Sequence, residues 1–253
     1  MGASNFVEGV DLAFKVIFGI SIFFLVGITA VMLYFLYRYN RKRHPKAIQI
    51  KESPWLEFTW IFVPFILVLL MFYYGYVAFS PMRNVPKDAI PIKVIGRMWS
   101  WTFEYPNKKQ SPILVVPINQ AVRLNLYSDD VLHALYIPAF RVKEDIVPGK
   151  DNYLWFMATQ FGEYDVLCTV FCGVRHSYME TKARVVTMEE YEKWLKELPD
   201  PTLEHPGLAV LKRNACTGCH SIDGSKLVST SFKKLYNSRA KVITDGKERT
   251  VTV

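Results

Sequence analysis

Between Cys168 and Met179 the chain reads C-T-V-F-C-G-V-R-H-S-Y-M, placing two thiols, an imidazole and a thioether within twelve residues. These are soft and borderline donors of the kind that suit copper, and a Cys/His set with a weak thioether is how proteins build copper electron-transfer sites. A Cys pair at i, i+4 also fits a disulfide or an ordinary buried pair, but neither needs His176 and Met179 at regular spacing beyond it. A zinc site takes four strong Cys, His or carboxylate ligands and gains little from methionine. Copper is therefore the expected metal.

A second cluster, Cys216-Thr217-Gly218-Cys219-His220, has the C-x-x-C-H form of a c-type haem attachment site, in which both thiols bond to the porphyrin and the histidine ligates iron. The alternative is a thiol redox motif beside a chance histidine. Together the two clusters use all four cysteines, so none is left for a structural disulfide. No Met or His follows His220, and the last residues, Arg249 to Val253, read as a strand or loop opening. The chain is thus expected to stop inside a haem domain, with the sixth iron ligand beyond its end.

The elements that must carry these clusters begin with two apolar runs. In a chain of 253 residues that is 51% hydrophobic, Val16–Tyr37 and Phe58–Phe79 are each 22 residues long and free of charge. At 1.5 Å per residue each can cross a hydrocarbon core of about 30 Å, so residues 1–82 are expected to form a two-helix transmembrane hairpin. A cleaved signal peptide has a shorter apolar region preceded by positive charge, whereas here the basic cluster follows the run. Pro54 fits a helix start, Trp55 and Trp60 an interfacial belt, and Pro64 is expected to kink the second helix.

The net charge of +8 is unevenly placed. Six basic residues (Arg38, Arg41, Lys42, Arg43, Lys46, Lys51) lie between the apolar runs, and nine more lie after residue 211 against three acids. Residues 86–200 hold 14 Lys or Arg against 15 Asp or Glu, which argues against nucleic-acid binding. Short loops rich in Lys and Arg stay cytoplasmic. Both termini and everything after residue 80 are therefore expected on the outer, periplasmic face of a bacterial inner membrane.

From Pro86 the pattern changes to short, turn-bounded runs with period two: Ile90–Tyr105, Ile113–Val116, Ala121–Ser128, Asn152–Ala158, Gly162–Leu167 and Thr181–Thr187. This predicts an antiparallel β-sandwich or barrel over 86–200. Thr187 with Glu190 three residues later predicts a capped helix running to about Leu198. Pro199, Pro201 and Pro206 then make a linker to a partial α-helical haem domain at 205–253.

Along nearly its whole length to residue 200 the chain resembles subunit II of haem–copper cytochrome c oxidases, which pairs a membrane hairpin with a cupredoxin (Greek-key sandwich) domain holding the dinuclear CuA centre. The string Cys168-x-x-x-Cys172-x-x-x-His176-x-x-Met179 resembles that family's ligand string. Ser128-Asp129-Asp130-Val131-Leu132-His133, with Pro138 and Ile146-Val147-Pro148-Gly149, resembles the segment supplying its first histidine. The C-x-x-C-H, followed by Leu227-Val228 and Ser231–Tyr236, is similar to the cytochrome c extension of the caa3-type branch.

The resemblance implies two coppers bridged by Cys168 and Cys172, each capped by one of His133 and His176, with Met179 and the Val170 backbone carbonyl as weak ligands. It implies a relay accepting electrons from cytochrome c or another donor through the chain's own haem c and passing them to oxidase subunit I, with subunit III as a further membrane partner. It also implies electron uptake at Trp99 and Trp101, within the aromatic stretch 96–105, and a proton-path role for Glu57. Val170 replaces a common family glutamate that helps bind magnesium, and Ser100 replaces a usual tyrosine. Two other classes are a membrane-tethered CuA carrier outside any oxidase and a copper-free quinol-oxidase subunit, against which the intact ligand string argues.

Overall fold

The structure, a computed structural model, describes residues 2–46, 48–49, 51–197, 206–213, 216–227, 229–236, 238–244 and 247–252. It divides into two units, residues 5–85 and residues 1–4 together with 86–253.

The first unit is built on two helices, α1 (Val7–Arg38) and α2 (Pro54–Phe79). Helix α1 begins nine residues before the predicted run, because Glu8, Asp11 and Lys15 end a charge-free window without ending a helix. Helix α2 opens with Pro54 at its first turn and continues through Pro64. The two helices leave large apolar side chains exposed along their length, Phe23 at 72% and Trp55 at 80% among them. In water such a surface would be unfavourable by about 25 cal/mol per Å²; hydrocarbon removes that penalty, while the helices satisfy their own backbone groups.

The second unit contains a ten-stranded sandwich. One sheet has the order β3-β2-β1-β5-β8, from β1 (Ile90–Arg97), β2 (Ser100–Glu104), β3 (Gln110–Ser111), β5 (Ala121–Ser128) and β8 (Asn152–Met157). The other has the order β4-β10-β9-β6-β7, from β4 (Leu114–Pro117), β6 (His133–Ile137), β7 (Val142–Ile146), β9 (Gly162–Cys168) and β10 (Glu180–Val186). The prediction of a purely antiparallel sandwich needs correcting, since β1 pairs with β5 and β4 with β10 in parallel. Alternation places Ile92, Val94, Phe103, Leu124, Leu126 and Phe156 of one sheet in the core, with Leu114, Val116, Leu135, Ile137 and Val166 of the other. Each such side chain contributes about 1.5–3 kcal/mol on burial.

Residues at the chain start complete this unit. Ser4 forms an antiparallel bridge with Ala158, the Ala3 N–H donates to the Ala139 carbonyl (2.7 Å), the Thr159 N–H donates to the Ala3 carbonyl (2.9 Å), and Ser4 Oγ donates to the Phe140 carbonyl (2.6 Å). At the other end, α3 (Met188–Lys196) carries the anticipated capping box of Thr187 and Glu190. Leu198 and the linker residues Pro199 and Pro201 lie outside the described residues.

A partial α-helical domain is expected over 205–253. Its described residues hold one helix, α4 (Pro206–Arg213), a single 3-10 turn at Cys216–Gly218, and a hairpin of β11 (Arg239–Thr244) and β12 (Lys247–Thr252). Val242, Ile243, Thr244, Thr250, Val251 and Thr252 are β-branched and favour extended backbone. The Asp245-Gly246 pair between them, itself outside the described residues, is a hairpin sequence.

Candidate metal centre

Two strand ends and one loop converge at an edge of the second sheet. Strand β9 ends on Cys168, β10 starts at Glu180, and the loop 169–179 between them carries Cys172, His176 and Met179. The Cys168 N–H donates to the Met179 carbonyl (3.1 Å), which pins the two ends of the loop together. Cys168 Sγ then lies 3.8 Å from Cys172 Sγ, too far for a disulfide of about 2.05 Å. Cys172 Sγ is 3.6 Å from His176 Nδ1 and 3.8 Å from Met179 Sδ, and Cys168 Sγ is 3.3 Å from the Val170 carbonyl oxygen.

Neighbouring β6 begins on His133, whose ring is fully buried. Its ligating atom and the two thiols lie within 4.8 Å of one another. All the expected copper-ligand positions are thus drawn together, five of them on one loop and its boundary and His133 from the adjacent strand.

The two nitrogens of His133 have opposite surroundings. Nε2 is 2.8 Å from Asp130 Oδ1, whereas Nδ1 is buried without a hydrogen-bond partner. A carboxylate accepts and cannot donate, so Asp130 fixes the proton on Nε2 of the neutral ring and leaves a lone pair on Nδ1. An orphaned acceptor beside two thiols fits a metal ion.

Three supporting residues were not singled out from sequence. Asp130 also accepts from the backbone N–H groups of Met98 and Val131, both at 2.6 Å, tying the turn before Trp99 to His133. Gly96 leaves room for the imidazole: a Cβ there would stand 3.1 Å from His133 Cδ2 and 3.2 Å from the Trp101 ring. Gly173 has φ +117° and lies under Trp99, where a Cβ would be 3.1 Å from Cζ2. The available signal was only the proximity of Asp130 to His133, with the glycines hidden by their lack of side chains.

Trp99 is half-buried, and its Nε1 donates to the Cys172 carbonyl (3.1 Å), so it touches the thiol loop directly. Trp101, paired with it above as a site of electron uptake, is only 3% exposed and packs edge-on to His133 with ring centroids 6.1 Å apart. The alternation of β2 turns its side chain into the core. Glu57 lies exposed in the first turn of α2, in the other unit.

At the second cluster, the His220 N–H returns to the Cys216 carbonyl (3.0 Å). His220 Nδ1 is 2.6 Å from the Thr230 carbonyl oxygen, which can only accept, so Nδ1 carries the proton and Nε2 keeps its lone pair. The ring stacks on Phe232 with centroids 4.4 Å apart. Asn214, Ala215 and Val228 lie outside the described residues.

The comparisons agree in direction. The family described as cytochrome c oxidase subunit II, transmembrane domain, matches residues 1–76, and the periplasmic domain of the same subunit matches residues 110–186. Cytochrome c oxidase subunit 2 of Alkalihalophilus pseudofirmus is 30% identical over 229 residues, covering 83% of this chain and 67% of that one. The chain belongs to the cytochrome c oxidase subunit II family. The alternative cytochrome c oxidase subunit 2 of Bradyrhizobium diazoefficiens is 29% identical over 221 residues, covering 74% of this chain and 79% of its own. Among solved structures, the periplasmic domain of subunit II of cytochrome oxidase from Bradyrhizobium japonicum is 33% identical, with 45% of this chain and 95% of that one covered and a TM-score of 0.43. As a family member the chain is a subunit of a haem–copper oxidase, an oxidoreductase complex, and is anchored in the membrane by its helices. Membership sets aside the carrier outside any oxidase.

Electrostatics separate the two thiols. For Cys168 burial disfavours the thiolate, but the neighbouring His133 imidazole and a hydrogen bond from the Ala134 backbone outweigh it and bring the pKa down to about 6. For Cys172 burial and the charge of Cys168 both disfavour ionisation and push it up to about 12. Burial opposes protonation of His133, yet Cys168 and Asp130 raise its pKa overall.

Two outcomes are expected. Copper uptake by the metal-free protein should release one proton, from Cys172, at a pH where Cys168 is already ionised and His133 neutral. Affinity should then rise tenfold per pH unit, with a steeper slope at lower pH where Cys168 and His133 must also lose protons; a pH-independent affinity from copper titrations would contradict this. Asp130→Asn should weaken copper binding about 10–100-fold, as loss of a partner to a ligating histidine does. It should also raise the reduction potential, because removing an anion favours the reduced centre.

Proposed function

We propose that this chain is the electron-accepting subunit of its oxidase and relays electrons to the oxygen-reducing subunit I. The observation that carries the reading is the convergence of His133, Cys168, Cys172, His176 and Met179 around a buried imidazole nitrogen that has no other partner. Cys168, Cys172, His133 and His176 would hold the coppers as strong thiolate and imidazole donors, with the Met179 thioether and the Val170 carbonyl as weak ones. When bound, a dinuclear copper centre on these donors supplies one-electron transfer with little change of geometry.

The surrounding residues keep those donors in place in both redox states. Asp130 fixes the proton on His133 Nε2, the Cys168–Met179 hydrogen bond closes the loop, and burial of both thiols excludes water. Trp99 offers a partly exposed aromatic face joined to the Cys172 carbonyl by one hydrogen bond, which suits it to receive an electron from a docked donor. Trp101 backs His133 and is assigned with Trp99 to electron uptake.

Cys216 and Cys219 are assigned to thioether bonds with a haem c, and His220, held through Nδ1, to its iron by Nε2. Cytochrome c or another carrier is the proposed donor to that haem, with subunits I and III as membrane partners. The basic loop between α1 and α2 is assigned to the cytoplasmic side and both metal-binding regions to the periplasmic side. That residues 2–4 and the strands belong to one unit, with two membrane helices between them, supports the same face for both. Glu57, in the first turn of α2, is then at the cytoplasmic end and suited to proton uptake.

Electron paramagnetic resonance of the purified protein tests the copper assignment. A seven-line hyperfine pattern is expected, lost in Cys172→Ser together with electron delivery to subunit I; a four-line pattern in the unaltered protein would refute the dinuclear reading. For the haem, Cys216→Ser with Cys219→Ser should abolish covalently bound haem in denaturing gels stained for peroxidase activity. Staining that persists in that double variant would remove the assignment.

A further inference from the structure

The link between α1 and α2 sets Arg38, Arg41, Lys42, Arg43, Lys46 and Lys51 against a single acid, Glu52. Membrane topology accounts for the number of these cations but not for their arrangement. Asn40 Oδ1 accepts from the N–H groups of Lys42 (3.0 Å) and Arg43 (3.2 Å), and its Nδ2 donates to the Tyr37 carbonyl (2.9 Å). The N–H groups of Arg43 and His44 turn back to the Asn40 carbonyl (3.0 and 2.9 Å). This turn holds Arg41, Lys42 and Arg43 side by side, all exposed. The Arg43 guanidinium lies 3.7 Å from the Tyr37 ring centre, and Arg38 pairs with His44. Among the described residues no carboxylate pairs with Arg38, Arg41, Lys42 or Arg43.

Immediately adjoining this turn is an apolar groove of about 570 Å³ along α1, lined by Ile28, Met32, Phe35 and Leu36 and closing at Tyr39 and Asn40. Eleven residues separate Ile28 from Tyr39, which at 1.5 Å each is about 16 Å. That is the depth of one leaflet in a hydrocarbon core about 30 Å thick. The groove therefore runs from mid-bilayer to the interface and ends where the unpaired cations begin.

We propose that this end of α1 binds one anionic phospholipid, its phosphate against Arg41, Lys42 and Arg43 and an acyl chain along the groove. A zwitterionic lipid matches the groove, but its own cation faces the cluster. Free phosphate matches the cluster but leaves the groove unfilled.

The test uses the whole oxidase complex, delipidated in detergent and titrated with phosphatidylglycerol, with bound lipid counted by native mass spectrometry. Phosphatidylglycerol should bind at least tenfold more tightly than phosphatidylcholine. R41Q/K42Q/R43Q should weaken it at least tenfold, since each basic residue near an anionic headgroup contributes several-fold. Met32→Trp, which fills the groove without altering charge, should weaken it several-fold; copper and haem content confirm assembly of each complex. If the triple variant does not assemble, the comparison of lipids and Met32→Trp decide the matter. Equal binding of the two lipids, unchanged affinity in either variant, or displacement by millimolar inorganic phosphate would overturn the proposal.

Discussion

A buried imidazole held at one nitrogen and open at the other is the constraint on which the metal centre depends. Asp130 fixes Nε2 of His133, and no protein group satisfies Nδ1. Leaving such an acceptor unpaired costs about 1–3 kcal/mol, which a metal ion offsets on binding. The rest of the corner follows from the need to keep that nitrogen facing two thiols. Gly96 clears space for the ring, Trp101 backs it, and the hydrogen bond between Cys168 and Met179 brings the far end of the loop to the near end. Removing the carboxylate would leave the ring free to choose the other tautomer, with its proton where the metal should be.

The membrane hairpin rests on a different physical balance. The sandwich core is stabilised by taking Ile, Leu and Phe out of water, while the two helices leave similar side chains outward and rely on lipid to receive them. Charged groups therefore lie toward the helix ends, as Glu8, Arg38 and Glu57 do. The same chain thus solves the hydrophobic problem twice, once by internal packing and once by choice of solvent.

The ligand loop was legible because each donor in it has a distinctive chemistry and a fixed spacing. The helices were legible because few structures other than a membrane span need 22 uncharged residues. Strands β6 and β7 escaped notice for opposite reasons: β6 opens on the metal histidine, and β7 reads Val-Lys-Glu-Asp-Ile, whose charges mask a strand with apolar ends. The single predicted run from Ile90 to Tyr105 breaks into β1 and β2 at Met98-Trp99, a turn without glycine or proline to mark it. In the tail, a short motif for binding a group does not specify the fold around it, and the β-branched residues that form the β11–β12 hairpin carry no such motif. Asp130, Gly96 and Gly173 act through where the chain brings them, which spacing along the sequence does not encode.

The bridge between Ser4 and Ala158 bears on how the molecule is made. Ser4 is synthesised before either helix, yet its partner carbonyl on Phe140 follows 136 positions later. Its place is therefore taken only after both helices have been inserted and most of the strands synthesised. The edge that Ala3 and Ser4 cover stays open until residues 139–159 have been made, and its closure requires residues 3–4 and the strands to have reached the same compartment. Proper insertion of the hairpin is in this way read out by the sandwich itself, as a seam that closes only when topology is correct.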